Sequence, residues 1–127
     1  MGIKVNILEN GEGIEVLAFG VVHGHEIIQA QSEIYDEKQL RKQKYHIIDK
    51  SKCTEYDVTA DDIAAIAKWD EEASRINPYI IVAIIESEIL QFSLTEVWQA
   101  SVEDFVFKTA SFNDRNAALQ WIAQNKI

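Results

Sequence analysis

His23-Gly24-His25 and Cys53 supply the imidazole and thiolate groups that zinc favours, and a thiol with an imidazole is equally the pairing of a cysteine nucleophile with its base. Two histidines one residue apart lack the four-ligand spacing of a structural zinc site, and no oxyanion feature accompanies Cys53. The plain readings are loop histidines and a partly buried free thiol. Glu86, Ser87 and Glu88 set two carboxylates around a hydroxyl, which suits acid-base work where burial drives the two pKa values apart. As the acidic first turn of a helix capped by Ser87 they need no chemistry. Thr59, followed by Asp61 and Asp62, stands where a helix begins. A phosphate on its hydroxyl would meet free backbone N–H groups and the positive end of the helix dipole, while an ordinary N-cap also accounts for threonine there.

An alternation of strands and helices must position these residues. Ile3, Val5 and Ile7 alternate with polar neighbours as an edge strand does, and the Asn10-Gly11 turn returns the chain into a second strand from Ile14 to about Phe19. A helix from about His25 to Gln43 follows, its basic residues gathered near the negative end of its dipole. Tyr45 to Ile48 reads as a short apolar strand, Asp49 to Asp57 as a polar loop, and Thr59 to Asn77 as a helix whose Ile63, Ile66, Trp69, Ala73 and Ile76 share one face for docking on the sheet. Asn77-Pro78 ends it. Tyr79 to Ile85, near-continuously apolar, reads as the centre of the sheet. A third helix carries Leu90, Leu94, Val97, Trp98 and Ser101 on one face, Phe105 to Lys108 forms a last strand, and Asn113 or Asp114 opens a terminal helix with Ala118, Leu119, Trp121 and Ile122.

This order predicts a single α/β domain over 1–127, with a mostly parallel five-stranded sheet, an antiparallel hairpin strand at its N-terminus, and four helices. Parallel strands end on one edge of a sheet, where such folds usually keep their ligands. That edge is expected to collect His23, His25, Cys53, Glu55, Asp57, Thr59, Glu86 and Ser87, with Glu88, Thr109 and Ser111 beside them.

Composition narrows the function further. With 127 residues, 47% hydrophobic and 26% charged, the chain has enough material for one core. A formal charge of -9 repels phosphate backbones and anionic lipid, so nucleic acid is not an expected partner. No apolar run approaches the ~20 residues that span a bilayer. The first ten residues alternate like a strand and lack the features of a secretory signal, and one cysteine cannot form an internal disulfide, so a cytoplasmic setting is expected.

Several segments carry a resemblance over nearly the whole chain: Tyr45 to Asp49, then Tyr56-Asp57-Val58-Thr59-Ala60, Asp62-Ile63, Asn77-Pro78, and Ala118-Leu119-Gln120-Trp121-Ile122. With this element order the chain resembles the SpoIIAA-like group, related to STAS domains and described as STAS/Sec14-type. The resemblance implies a non-enzymatic regulatory or protein-interaction module, with a protein partner or a second copy of itself. In related anti-sigma-factor antagonists a serine in an Asp-Ser-Ser-Gly loop is phosphorylated. Asp57-Val58-Thr59-Ala60 keeps the Asp and places Thr59 near the acceptor, without the serine pair or the glycine. Relatives of the Sec14 type imply a second reading, a carrier or sensor of an apolar, lipid-like molecule held between helices and sheet. Trp69, Trp98, Trp121, Phe92, Phe105 and Phe107 are the aromatic residues available to line such a pocket, and spacing of this kind is more often ordinary core. No catalytic residue, metal or cofactor is assigned.

Overall fold

Alternating apolar residues build strand β1 (Ile3–Leu8), and a tight 3-10 turn at Glu9–Gly11 sends the chain back as β2 (Gly13–His23). Gly11 takes a φ of 100° in that turn, a conformation glycine adopts without steric cost. The computed structural model describes residues 2–86 and 107–127. Helix α1 (Gly24–Ile34), the short α2 (Glu37–Leu40), β3 (Tyr45–Asp57), α3 (Ala60–Ile76), β4 (Ile81–Ile85), β5 (Lys108–Phe112) and α4 (Arg115–Asn125) complete the described elements. The sheet runs β1-β2-β3-β4-β5, with β1 antiparallel to β2 and every other pair parallel, as the element order predicts. The expected third helix lies outside the described residues.

Strand alternation divides the core between two faces. Tyr45, Ile47, Ile81, Ala83 and Ile85 pack on one face against Ala118 and Ile122 of α4. On the other face, Ile14 and Val16 meet Ala30 and Ile34 of α1, and Val82 and Ile84 meet Leu40, Ala73 and Phe107. Asp114 caps α4 by accepting from the Ala117 N–H at 3.0 Å.

Five expectations need correction. The helix expected from His25 to Gln43 breaks after Ile34, where Tyr35 leaves helical geometry and Gln43 Nε2 donates to the Ile34 carbonyl at 2.8 Å. Leu40, on α2, is thereby turned fully into the core. The expected loop from Asp49 to Asp57 is strand, because it pairs with a β2 that itself continues to His23. The last strand begins at Lys108, so Thr109 and Ser111 are inside it and not beyond its end. The central strand is β3, since β5 adds outside β4. On α3, Ala67, Asp70, Ala73 and Ser74 are the buried positions, whereas Trp69 is half-buried and Ile76 is exposed.

Candidate functional site

The last pairing of β3 with β4 is Asp49 with Ile85, yet β2 and β3 continue together to His23 and Asp57. They form a ribbon that runs about 20 Å past the end of β4, at ~3.3 Å per residue, with Gly2 and Ile3 beside it as far as Phe19. The single expected edge is therefore two places, a ribbon tip and a ribbon base. At the tip His23 and Asp57 are register partners, with Nδ1 and Oδ2 3.0 Å apart and both side chains substantially exposed, and the His25 ring stacks on His23 at 5.7 Å. Glu26 accepts from the backbone N–H groups of Gly2 at 2.8 Å and His23 at 3.1 Å, and these bonds, Gly2 first, hold its carboxyl below the usual range. A Cβ added at Gly24 would stand 2.2 Å from Asp62 Oδ2, so the start of α1 abuts the start of α3.

Thr59 caps α3 at this tip. Its Oγ1 accepts from the Asp62 N–H at 3.1 Å, and Asp62 Oδ2 accepts in return from the Thr59 N–H at 3.0 Å, with Asp where a capping box usually has Glu or Gln. Thr59→Ala is expected to lower unfolding stability by about 1 kcal/mol, the usual loss of such a cap, read as a small drop in the urea midpoint at unchanged slope. A midpoint equal to wild type would show that the cap does not hold the helix.

Cys53 and Glu55 stand within β3, away from the tip. Cys53 is buried among Ala18, Val22 and Tyr56, its Sγ hydrogen bonded to the Glu55 carbonyl at 3.5 Å, and burial pushes the thiol pKa up, the opposite of what a nucleophile needs. Glu55 faces solvent. At the ribbon base the buried Glu86 carboxylate lies 3.9 Å from the Lys50 ammonium, which also sits 5.2 Å from the centre of the Tyr56 ring. Burial draws the Lys50 pKa down, with Glu86 pulling it back up. Ser87 and Glu88 lie outside the described residues. Among the described residues, no group of three His, Cys, Asp or Glu side chains is placed to share a metal ion.

A cavity of about 170 Å³ lies between the sheet and helices α1 and α3. Val16, Ala18, Ile48, Val82, Ile84 and Phe107 line it from the sheet side, and Ala30, Ile34, Ile63 and Ile66 from the helices. Of the aromatic residues weighed as pocket lining or ordinary core, Phe107 is here. Trp121 packs on the opposite face with Phe112, at 5.7 Å between rings, and Phe92, Trp98 and Phe105 lie outside the described residues. Gln31, Tyr35, His46, Lys50, Tyr56 and Asp70 bring polarity to the same wall. Asp70 Oδ1 accepts from Tyr35 Oη at 2.5 Å and from Gln31 Nε2 at 3.1 Å, and Gln31 Nε2 donates also to the Ile66 carbonyl at 3.1 Å. Desolvation first, then the Asp70 charge, drives the Tyr35 hydroxyl pKa far up, so it stays a donor.

Sequence reading passed over this polar set. Its signal was a polar residue at a position otherwise reserved for core: Gln31 between Ile27 and Ile34, Asp70 between Ile66 and Ala73, and His46 and Lys50 on either side of Ile48.

Over 95% of its length the chain is similar, at a TM-score of 0.64 and 20% sequence identity, to the crystal structure of an uncharacterised protein of the DUF3478 family with a SpoIIAA-like fold from Shewanella loihica PV-4, 93% of which is covered. No family model matches the chain, and no curated protein does. The chain has the SpoIIAA-like fold, as the resemblance implied. No helix among the described residues is long and apolar enough to cross a membrane.

Proposed function

We propose that this chain is a non-enzymatic binding module that holds a small apolar molecule between α1, α3 and the sheet. The observation that carries the reading is the cavity of about 170 Å³. Protein interiors pack as tightly as organic crystals, and an apolar void of this size lowers stability by about 4 kcal/mol at ~24 cal/mol per Å³. A ligand that fills it recovers much of that loss. An apolar cavity of about 150 Å³ is enough to take benzene, so the ligand portion held here is the size of one six-membered ring.

Toluene tests the reading directly. At about ten times its Kd it is expected to stabilise the fold by roughly 1.4 kcal/mol, raising the thermal midpoint by about 5 °C. Ala30→Phe places a ring in the cavity and is expected to remain folded and to lose the toluene response. A wild-type midpoint indifferent to saturating toluene would refute the reading.

A partner-binding module switched at Thr59 is the second reading, and the exposure of Thr59 at the start of α3 favours it. Against it, the hydroxyl is engaged in the capping box, and a phosphate there would meet Asp57, Asp61 and Asp62. This reading requires a protein partner that binds wild type and Thr59→Glu differently. Without one it fails.

A further inference from the structure

Gln31 is 8% exposed, lines the cavity, and directs both protons of its amide nitrogen to protein acceptors, the Ile66 carbonyl and Asp70 Oδ1, each at 3.1 Å. Those two acceptors fix the amide orientation, because exchanging its oxygen and nitrogen would set an oxygen against two oxygens. Gln31 Oε1 is left with no hydrogen-bond partner among the described residues. A buried carbonyl oxygen without a donor is rare in native structures and calls for an explanation.

Resting on the reading of a ligand-holding cavity, we infer that the occupant is an uncharged ring-sized molecule that donates one hydrogen bond, from a hydroxyl or N–H, to Gln31 Oε1. The charges around the cavity favour a neutral head group. Asp70 lines the same wall and already accepts two hydrogen bonds, so a carboxylate placed near Gln31 would face an oxygen and a negative charge. Lys50, the cation on the lining, has the Glu86 carboxylate 3.9 Å away to oppose its charge. An anionic ligand finds no net positive field here. The apolar walls take the ring, and Gln31 Oε1 sets its orientation.

Phenol, toluene, fluorobenzene and benzoate separate these ideas, with binding to the full chain followed by calorimetry and by amide shifts in NMR. Phenol and toluene have nearly the same shape, and only phenol can donate. In Gln31→Met the ratio of toluene Kd to phenol Kd is expected to fall about tenfold from its wild-type value, the upper end of what one hydrogen bond contributes net. An unchanged ratio overturns the inference. Should Gln31→Met fail to fold, wild type decides alone: phenol is expected to bind at least as tightly as fluorobenzene, against the order of their apolar character, and tighter fluorobenzene binding overturns the inference. Benzoate binding more tightly than phenol overturns it too. If toluene binds and phenol has no advantage, the donor assignment fails and the cavity reading stands; if none of the rings binds, both fail.

Discussion

Phe107→Ala is expected to lower the unfolding free energy by about 3–5 kcal/mol, the usual loss for a buried aromatic side chain. Phe107 is 2% exposed, sits with Leu40, Ile80, Val82 and Ile84, and meets the His46 ring edge-on at 6.2 Å and the Tyr35 ring at 6.5 Å. It also forms part of the cavity wall, so its removal enlarges a void already present and little can move in to fill the gap. Domains have only about 5–15 kcal/mol in total, so a large part of the stability goes with this one ring. Urea unfolding at unchanged slope measures the loss. A loss below about 1 kcal/mol would mean that the wall collapses easily and that the cavity is not a rigid feature.

Acid is expected to destabilise the protein through His46, well above the pH at which carboxylates titrate. The imidazole is 3% exposed, and burial lowers its pKa from 6.5 to about 4. Its Nε2 lies 2.7 Å from Gln43 Oε1, and because Gln43 Nε2 donates to Ile34, the oxygen faces the ring and the histidine proton is on Nε2. Above pH 6.5 the ring is neutral in both states and its stabilisation is fully present. As the pH falls below 6.5 the unfolded chain takes a proton that the folded chain refuses, and stability declines until about pH 4, where the folded ring titrates too. The whole loss is about 3 kcal/mol at ~1.36 kcal/mol per pKa unit, about 2 kcal/mol of it by pH 5. Glu9, Glu15 and Glu26 have lowered pKa values and act in a lower window, since what they contribute is lost only as the pH falls below about 4.5. His46→Gln, compared with wild type between pH 7 and 5, is expected to remove the slope. Equal slopes in the two proteins would place the sensitivity elsewhere.

Local chemistry was legible in the sequence wherever it depended on neighbours within one turn or one strand. The Thr59–Asp62 box, the stop at Asn77-Pro78, the cap at Asp114 and the edge character of β1 are all of this kind, as is the strand and helix alternation that leads to a parallel sheet. Beyond that range the second half of β3 is instructive. Lys50, Cys53 and Tyr56 all belong to the face covered by α1 and α3, yet they are three apart, a spacing foreign to a regular strand. The register explains it. Leu17 pairs with Asp49 and Phe19 with Lys52, then Gly20 with Cys53 and Val21 with Glu55, so β3 carries one extra residue in each interval. Each bulge turns a period of two into three, and nothing in the residues themselves announces it.

The alternation of strands and helices and the SpoIIAA-like fold were thus legible in the sequence, because capping, turn chemistry and hydrophobic period are short-range properties of the chain, whereas the break after Ile34 and the ends of β3 and β5 were not. Only the tertiary structure decided where function can sit. It separated His23, Asp57 and Thr59 at the ribbon tip from Lys50 and Glu86 at its base, and it brought Gln31 of α1 onto Asp70 of α3 beside a cavity. A cavity is what remains when elements distant in sequence meet imperfectly, and an unmatched buried oxygen exists only once every other group has found its partner.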